Sequence, residues 1–432
     1  MIKLYEKCSY LTKNVTKVTS CTEINDEYYI TLEESIFFPE EGGQKADTGK
    51  LTEEGGREIE LLDGQLLKGL SKEAANLLAD TSKELVAEGQ LPSEMIFYKV
   101  SAKVLKGTEV ECSIDMAKRF DRMQNHSGEH VLTGVIHNKY GFDNVGFHLS
   151  DDGPVTLDIN GVLTYEQVME MEKEANRVVY ANMPIVDTYP SKDELINMTY
   201  RSKIDIEGQV RLITIGNEQE IIDICACCAP HVKQTGEIGI IKVISVINWK
   251  GGIRISMLAG RRALEYCNGE HEIIKKLTGL LTTSAENIVG ITEAHIAEIG
   301  LLKSKLATSL EANVISKIDN DIMSVPQKAA VISSGDCLPF GHVEFVDGDF
   351  PVASMKNIYN YLLTKYKGYV AVLAGDDENG YRYFGGIADG DSRELATALR
   401  ETFNAKGGGK QDMVQGQIVA SKEEIKAVVM GL

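Results

Sequence analysis

The stretch IDMAKRFDRMQNHSGEHVLTGVI, residues 114 to 136, decides how the chain is read. Its apolar residues Phe120, Met123, Val131 and Val135 recur at helical spacing, the pattern of one buried helix face. Within it, HSGEH sets His126 and His130 four apart, with Glu129 beside the second. Residues i and i+4 share a helix face, so both imidazoles can reach one metal ion. H-x-x-E-H is also the inverted zinc-protease signature, in which Glu129 would be the general base.

A second pair lies in CCAPH, where Cys227 and His231 are spaced C-x-x-x-H. Thiolate and imidazole are the usual ligands of zinc, which takes four in a tetrahedron. His126, His130, Cys227 and His231 therefore complete a candidate zinc set. Cys225 and Cys228 are rival ligands, because strand alternation puts Cys225 on the same face as Cys227. A zinc peptidase needs an open position for water and a downstream carboxylate. A thiolate and a third imidazole fit that poorly. His137, His148, His271, His295 and His342 read as ordinary core or surface imidazoles.

The bulk composition narrows the classes. A chain of 432 residues at ~150 residues per domain gives about three domains. Hydrophobic residues at 43% and charged residues at 25% are those of a soluble globular protein. No apolar run is long enough to span a membrane, and MIKLYEKCSY lacks the apolar core of a signal peptide. The expected compartment is the cytoplasm, with no membrane partner. A net charge of −19 argues against a general nucleic-acid binder, since phosphate contacts reward Lys and Arg. A local basic patch stays open. Three of the eight cysteines fall within residues 225–228, which is poor disulfide geometry and good metal-binding geometry.

Along the chain, EYYITLEESIFF alternates like a strand and breaks at PEEGG, and LTEEGGREIELLDG reads as a hairpin. SKEAANLLADTSKELVAEG is a helical insertion or a loop. NVGFHLSDDGPVTLDING reads as strand, turn, strand. TYEQVMEMEKEANRVVYANMPI is a helix stopped by Pro184. QVRLITIG, QEIIDICA and IGIIKVISVINWKGGIRISMLAG supply further strands. Thr283 and Glu286 fit a capping box. Ile299, Leu302, Leu306 and Leu310 then form an apolar stripe, read either as half of a two-helix antiparallel arm or as packing on a neighbouring domain. In the last segment YVAVLAG is a strand, Asn379-Gly380 a hairpin turn, and SRELATALRETFNAK a helix ended by GGG.

With these motifs in place, the sequence resembles the editing domain of alanyl-tRNA synthetases and the free-standing alanyl-tRNA editing proteins. The matching stretches are FFPEEGGQKADTG (37–49), IDMAKRFDRMQNHSGEHVLTGVI (114–136), EANRVVYANMPI (174–185) and CCAPHVKQTGEIGIIKV (227–243), in family order and spacing. GGGKQDMVQGQ (407–417) is similar to the glycine-rich DHHA1-type domain that accompanies them. Two departures stand out. Cys228-Ala229 replaces two glycines of the family motif, and Lys410-Gln411 replaces the usual Arg-Pro.

The resemblance implies an α+β fold. A β-barrel with a GGQ-type loop would occupy residues 1–95. A zinc-binding α/β editing domain, of the threonyl/alanyl-tRNA synthetase second-additional-domain type, would occupy 96–260. A helical arm over 261–325 and a DHHA1-like α/β domain over 326–432 would follow. It implies zinc at His126, His130, Cys227 and His231, and hydrolysis of serine or glycine from alanine tRNA without an aminoacylation domain. Ser35 and Gln44 are then candidate catalytic residues, with Glu129 either a base or a solvated helix residue. Gly42 and Gly43 would let the backbone approach the acyl-adenosine; without the resemblance they read as an ordinary turn. Arg254, Arg261, Arg262, Lys406 and Lys410, with Gly408, are candidate tRNA contacts. Asp115 and Arg119 are expected to form an ion pair, and residues 265–320 to make a homodimer. The other readings are a non-catalytic tRNA-binding module with structural zinc and, more weakly, a zinc peptidase. The phosphoesterase relatives of the last domain hold their metals with an Asp-His-His motif, absent here.

Overall fold

Alternate residues of KNVTKVTSCTEI and EIELLDGQL are buried, as a strand with one indoor face requires. In the computed structural model, which describes residues 1–87, 91–202 and 209–432, these segments belong to a closed barrel. Its strands are β1 (Lys13–Ile24), β2 (Glu27–Leu32), β3 (Gly49–Glu53), β4 (Glu58–Leu66), β5 (Ile96–Val100) and β6 (Glu109–Ile114), in the order β1-β2-β5-β4-β3-β6. The barrel thus runs beyond the expected boundary at residue 95. β5 is needed to join β2 to β4, and β6 closes β3 onto β1. Between β4 and β5 the insertion is helical, with α1 (Lys72–Leu77) and α2 (Ala79–Ala87). Leu78 and Leu85 bury against Ile24, Met95 and Phe97. The end of the insertion, residues 88–90, lies outside the described residues.

Helix α3 (Met116–Tyr140) leads out of the barrel. Asp115 caps it, accepting from the Lys118 N–H at 3.1 Å, so the expected Asp115–Arg119 pair does not form. Arg119 instead pairs with buried Asp47 and donates to the carbonyls of Ser9 and Ile36. Asp115 is already committed to the helix N-terminus, and only Asp47 meets the guanidinium indoors. Gly141, at φ 70°, ends the helix.

Around α3 lie β7 (Asn144–His148), β8 (Val155–Ile159), α4 (Tyr165–Tyr180), β9 (Ile185–Thr188), β10 (Leu212–Gly216), β11 (Ile221–Ala226), β12 (Ile241–Trp249) and β13 (Gly252–Ala259). They form two antiparallel sheets, β12-β13-β8-β7 and β9-β10-β11. A Thr164–Gln167 capping box starts α4, and Asn182 turns left-handed (φ 49°) before Pro184. β11 runs close to α3, because a Cβ at Gly134 would sit 2.6 Å from the Ile222 carbonyl. Val131, Leu132 and Val135 join Ile213, Ile222 and Ile255 in this core.

The chain divides into two compact units, Met1–Ile273 and Ile274–Leu432. Helix α5 (Gly260–Leu281) spans the division. Thr283 and Glu286 do not make a capping box; a 3-10 turn, Ala285–Asn287, precedes α6 (Ile288–Met323). In the second unit α7 (Pro326–Ser333), α8 (Val352–Leu363), α9 (Arg393–Phe403) and α10 (Lys422–Gly431) accompany a sheet ordered β14-β15-β16-β18-β17. Those strands are β14 (His342–Val346), β15 (Val370–Asp376), β16 (Gly380–Gly386), β17 (Lys406–Gly409) and β18 (Val414–Ile418). The stripe expected on α6 divides. Leu310 packs with Ile318, Ile322 and Leu362, whereas Ile299, Leu302 and Leu306 are exposed. The glycines of GGG do not end α9. Asn404 does so at φ 56°, and the glycines form β17 because they pair with β18. Among the described residues no helix is long and apolar enough to cross a membrane.

Candidate metal centre

Helix α3 buries Arg119, Arg122, Asn125, His126, Ser127, Glu129, His130 and Thr133. Buried polar groups are costly without partners, and here the partners arrange the imidazoles. His126 Nδ1 lies 2.8 Å from Gln44 Oε1. His130 Nδ1 lies 2.9 Å from Asp223 Oδ2. His231 Nδ1 lies 3.0 Å from Ser127 Oγ. Each contact leaves Nε2 to face inward. Cys227 Sγ is 3.6 Å from His126 Nε2 and 3.3 Å from His231 Nε2. Ligand atoms of His126, His130, Cys227 and His231 all lie within 4.8 Å of one another.

This donor set fits a metal ion. Ligating histidines usually bind through one nitrogen and donate from the other to an orienting partner. Burial alone would raise the Cys227 thiol, but the adjoining His126 and His231 rings lower it well below its ordinary value, toward the thiolate that binds metal. Burial pushes the His231 imidazole down to about 3. Burial would also lower His130, yet Cys225, Glu129 and Asp223 raise it well above the imidazole range. Those surroundings favour a positive charge at the ring. Three imidazoles with one thiolate are compatible with zinc.

Cys225 forms a second cluster with Asp223 that shares His130. Cys228 faces Gly42 and Glu41, and burial, Cys227 and Glu41 raise its thiol. Arg211 donates to the carbonyls of Cys227 at 3.2 Å and Ala229 at 2.8 Å, fixing the CCAPH turn.

The loop before β3 forms the neighbouring wall. Glu41 and Gln44 exchange backbone hydrogen bonds of 3.1 Å around Gly42 (φ 62°) and Gly43 (φ 82°). A Cβ at Gly43 would sit 2.6 Å from the Phe147 carbonyl. The Gly43 carbonyl accepts from Leu149 N–H at 2.9 Å. Arg122 anchors the same loop, donating to the Ala46 carbonyl at 2.7 Å while pairing with Asp151 at 2.7 Å. Gln44 is fully buried, and its amide nitrogen has no hydrogen-bond partner.

Other sequence candidates are placed as follows. Glu129 is buried; Asn144 Nδ2 donates to its Oε1 at 2.5 Å, and its Oε2 is 3.8 Å from His130 Nε2. It is thus no solvated helix residue. Ser35 is turned into the barrel, with its hydroxyl 2.7 Å from Tyr98 Oη and accepting from the Phe37 N–H. Arg254 pairs with Asp158 at 2.6 Å and stacks on Trp249. Arg261 pairs with Glu265 and Asp121, and Arg262 donates to the carbonyls of Ser150 and Gly153. These three cations therefore have local partners. In the second unit, Gly408 has open space at its Cβ position, and Lys410 N–H donates to the Met413 carbonyl across the β17–β18 turn. Sequence reading missed Ser127, Asp223, Asn144 and Arg201. Asp223 shares a strand face with Cys225, a usable signal; Arg201 carried none.

Comparison with known proteins adds the following. The chain is 24% identical over 434 residues to the alanyl-tRNA editing protein AlaX-L of Pyrococcus horikoshii, covering 99% of this chain and 97% of that one. It is 24% identical over 447 residues to the alanyl-tRNA editing protein Aarsd1 of Mus musculus, covering 99% and 96%. Against the alanine–tRNA ligase of a Janthinobacterium species, 25% identity spans 89% of this chain and 42% of the ligase. Residues 210–256 match the threonyl and alanyl tRNA synthetase second additional domain. The resemblance to the alanyl-tRNA editing proteins thus runs along nearly the whole chain.

Proposed function

We propose that the chain is a deacylase that clears wrongly attached serine or glycine from the 3′ end of alanine tRNA. The observation that carries this reading is the convergence of three oriented imidazoles and the Cys227 sulfur beside Gln44. The names of the similar proteins supply the substrate class. His126, His130, Cys227 and His231 would hold zinc. When bound, zinc supplies Lewis-acid polarisation of an ester carbonyl or orientation of a water.

The chain's own residues do the rest. The free amide N–H of Gln44 donates to the acyl group. Gly42 and Gly43 let the loop take its left-handed turn, at φ 62° and 82°, which sets Gln44 beside the centre and the loop backbone toward the terminal adenosine. Glu129 places its Oε2 beside the centre, 3.8 Å from His130 Nε2. A site that hydrogen-bonds a serine hydroxyl rejects alanine, which leaves that group unpaired; such selectivity reaches ~10⁴. Ser35 supports this wall at a remove, by holding Phe37 through its hydroxyl. Gly408 and Lys410 contact tRNA phosphate through open backbone and an ammonium. The protein acts in the cytoplasm as a homodimer through residues 265–320.

The test is a deacylation assay on seryl-, glycyl- and alanyl-tRNA carrying the alanine anticodon arm and acceptor, with zinc content measured. Wild type is expected to release serine or glycine and spare alanine. Cys227→Ala is expected to lose both zinc and release. Stoichiometric zinc with no release from any of the three would move the reading to a binding module with structural zinc. Peptide cleavage in place of ester cleavage would move it to a peptidase.

A further inference from the structure

Arg201 belongs to no motif of the sequence, yet it ties two groups of the centre together. Its Nε and Nη2 meet Asp223 Oδ1 and Oδ2, each at 2.8 Å. Asp223 Oδ2 also accepts from His130 Nδ1 at 2.9 Å. The same Nη2 donates to Thr133 Oγ1 at 3.0 Å, and the Thr133 hydroxyl shares its hydrogen between the Glu129 carbonyl at 2.9 Å and Glu129 Oε1 at 3.2 Å. One guanidinium therefore braces a ligand on one arm and the neighbouring carboxylate on the other. Its backbone is fixed to β11, its N–H donating to the Ile224 carbonyl at 2.8 Å and its carbonyl accepting from the Ala226 N–H at 2.9 Å.

The brace has an outer face. Asp223 is 2% exposed at its side chain, whereas Arg201 is 10% exposed. Arg201, Asp223, Asn138, Asn144, Tyr200 and Ile222 line a surface pocket of about 530 Å³. Asn144 is the residue that donates to Glu129. The wall of this pocket is thus the back of the metal centre.

We propose that Arg201 is a positioning residue that fixes His130 through Asp223 and Glu129 through Thr133, and that the pocket admits a small planar cation to its place. A guanidinium suits both tasks, because its rigid fork matches a carboxylate bidentately and leaves a further N–H. A lysine ammonium is a point charge and reproduces one contact at a time. Loss of an outer partner of a ligating histidine costs about 10–100-fold in metal affinity. The inference rests on the reading that His126, His130, Cys227 and His231 hold zinc.

The experiment measures zinc affinity by chelator competition, together with the absorption bands of the cobalt-substituted protein. Wild type is compared with Arg201→Ala and Arg201→Lys. Arg201→Gln carries the comparison if the alanine variant does not fold. Arg201→Ala is expected to bind zinc about 10–100-fold more weakly, with altered cobalt bands and little recovery in Arg201→Lys. Millimolar guanidinium chloride, but not urea or sodium chloride, is expected to restore affinity and bands. A folded variant with wild-type affinity and bands overturns the positioning role. A loss that guanidinium does not reverse overturns the access through the pocket. A wild type that takes up no zinc overturns the proposed function itself, and is thereby told apart from both.

Discussion

Helix α3 buries two arginines, two histidines, an asparagine and a glutamate, whereas the first half of α6 leaves Val289, Ile296, Ile299, Leu301, Leu302 and Leu306 between 52% and 67% exposed. Hydropathy predicts the reverse in both. A buried polar group left without a partner costs ~1–3 kcal/mol, so α3 is stable only because Asp47, Asp151, Asp223, Gln44 and Asn144 meet its side chains. Polarity inside α3 marks assembled chemistry. Apolarity outside α6 marks a surface that gains from being covered. Neither helix reads as an ordinary amphipathic element, and each departure points to a task.

The largest test of that contrast is Asp47→Ala. It leaves Arg119 buried and uncompensated, and the first unit is expected to lose about 3–5 kcal/mol. Denaturant unfolding followed through barrel tyrosines measures it; a loss below about 1 kcal/mol would show that the pin is dispensable. Gly43→Ala comes next. Its left-handed backbone and the Phe147 carbonyl 2.6 Å from a Cβ predict a cost of about 1–3 kcal/mol. Deacylation is expected to suffer more than stability, because the displaced loop carries Gln44.

On the other side, Leu302→Lys with Leu306→Lys is expected to change stability by no more than about 0.5 kcal/mol. The proposed dimer predicts a dimeric mass for wild type in light scattering and a monomeric mass for the same double variant. An unchanged dimeric mass would place the interface elsewhere, and a marked loss of stability would mean that the stripe is covered within one chain. The smallest effect belongs to Glu344. Burial would raise its carboxyl, but His342 and Lys317 hold it below its ordinary value of 4.5. A depressed carboxyl contributes stability above that value and loses it as pH falls below. The second unit should therefore weaken modestly on the acid side of pH 4.5, and Glu344→Gln should flatten that slope.

How much of this was legible follows from how local each signal is. His126 with His130 and Cys227 with His231 could be read because each pair sits within one turn of chain. The barrel strands could be read from alternation, but not their closure, which depends on β5 and β6 pairing far from their neighbours in sequence. Helical spacing points Arg119 to Asp115, one turn back, while its partner lies 72 residues away. Arg201 meets Thr133 across 68 residues and Asp223 across 22, at no motif spacing. The GGG run reads as a breaker because composition cannot show that it finds β18 as a partner. The resemblance supplied Gln44 and the glycine loop, which residue types alone leave as a turn.

The hydrogen bond from Leu149 to the Gly43 carbonyl, together with the Asp47–Arg119 pin, ties the glycine loop at both ends. Such a loop is preorganised. Ordering a mobile side chain on association costs about 0.5–1.5 kcal/mol, and here that ordering is complete before any ligand arrives. Under the proposed deacylase reading, recognition at this wall would rest on shape already cut, with poor substrates refused for lack of fit and not for lack of closure.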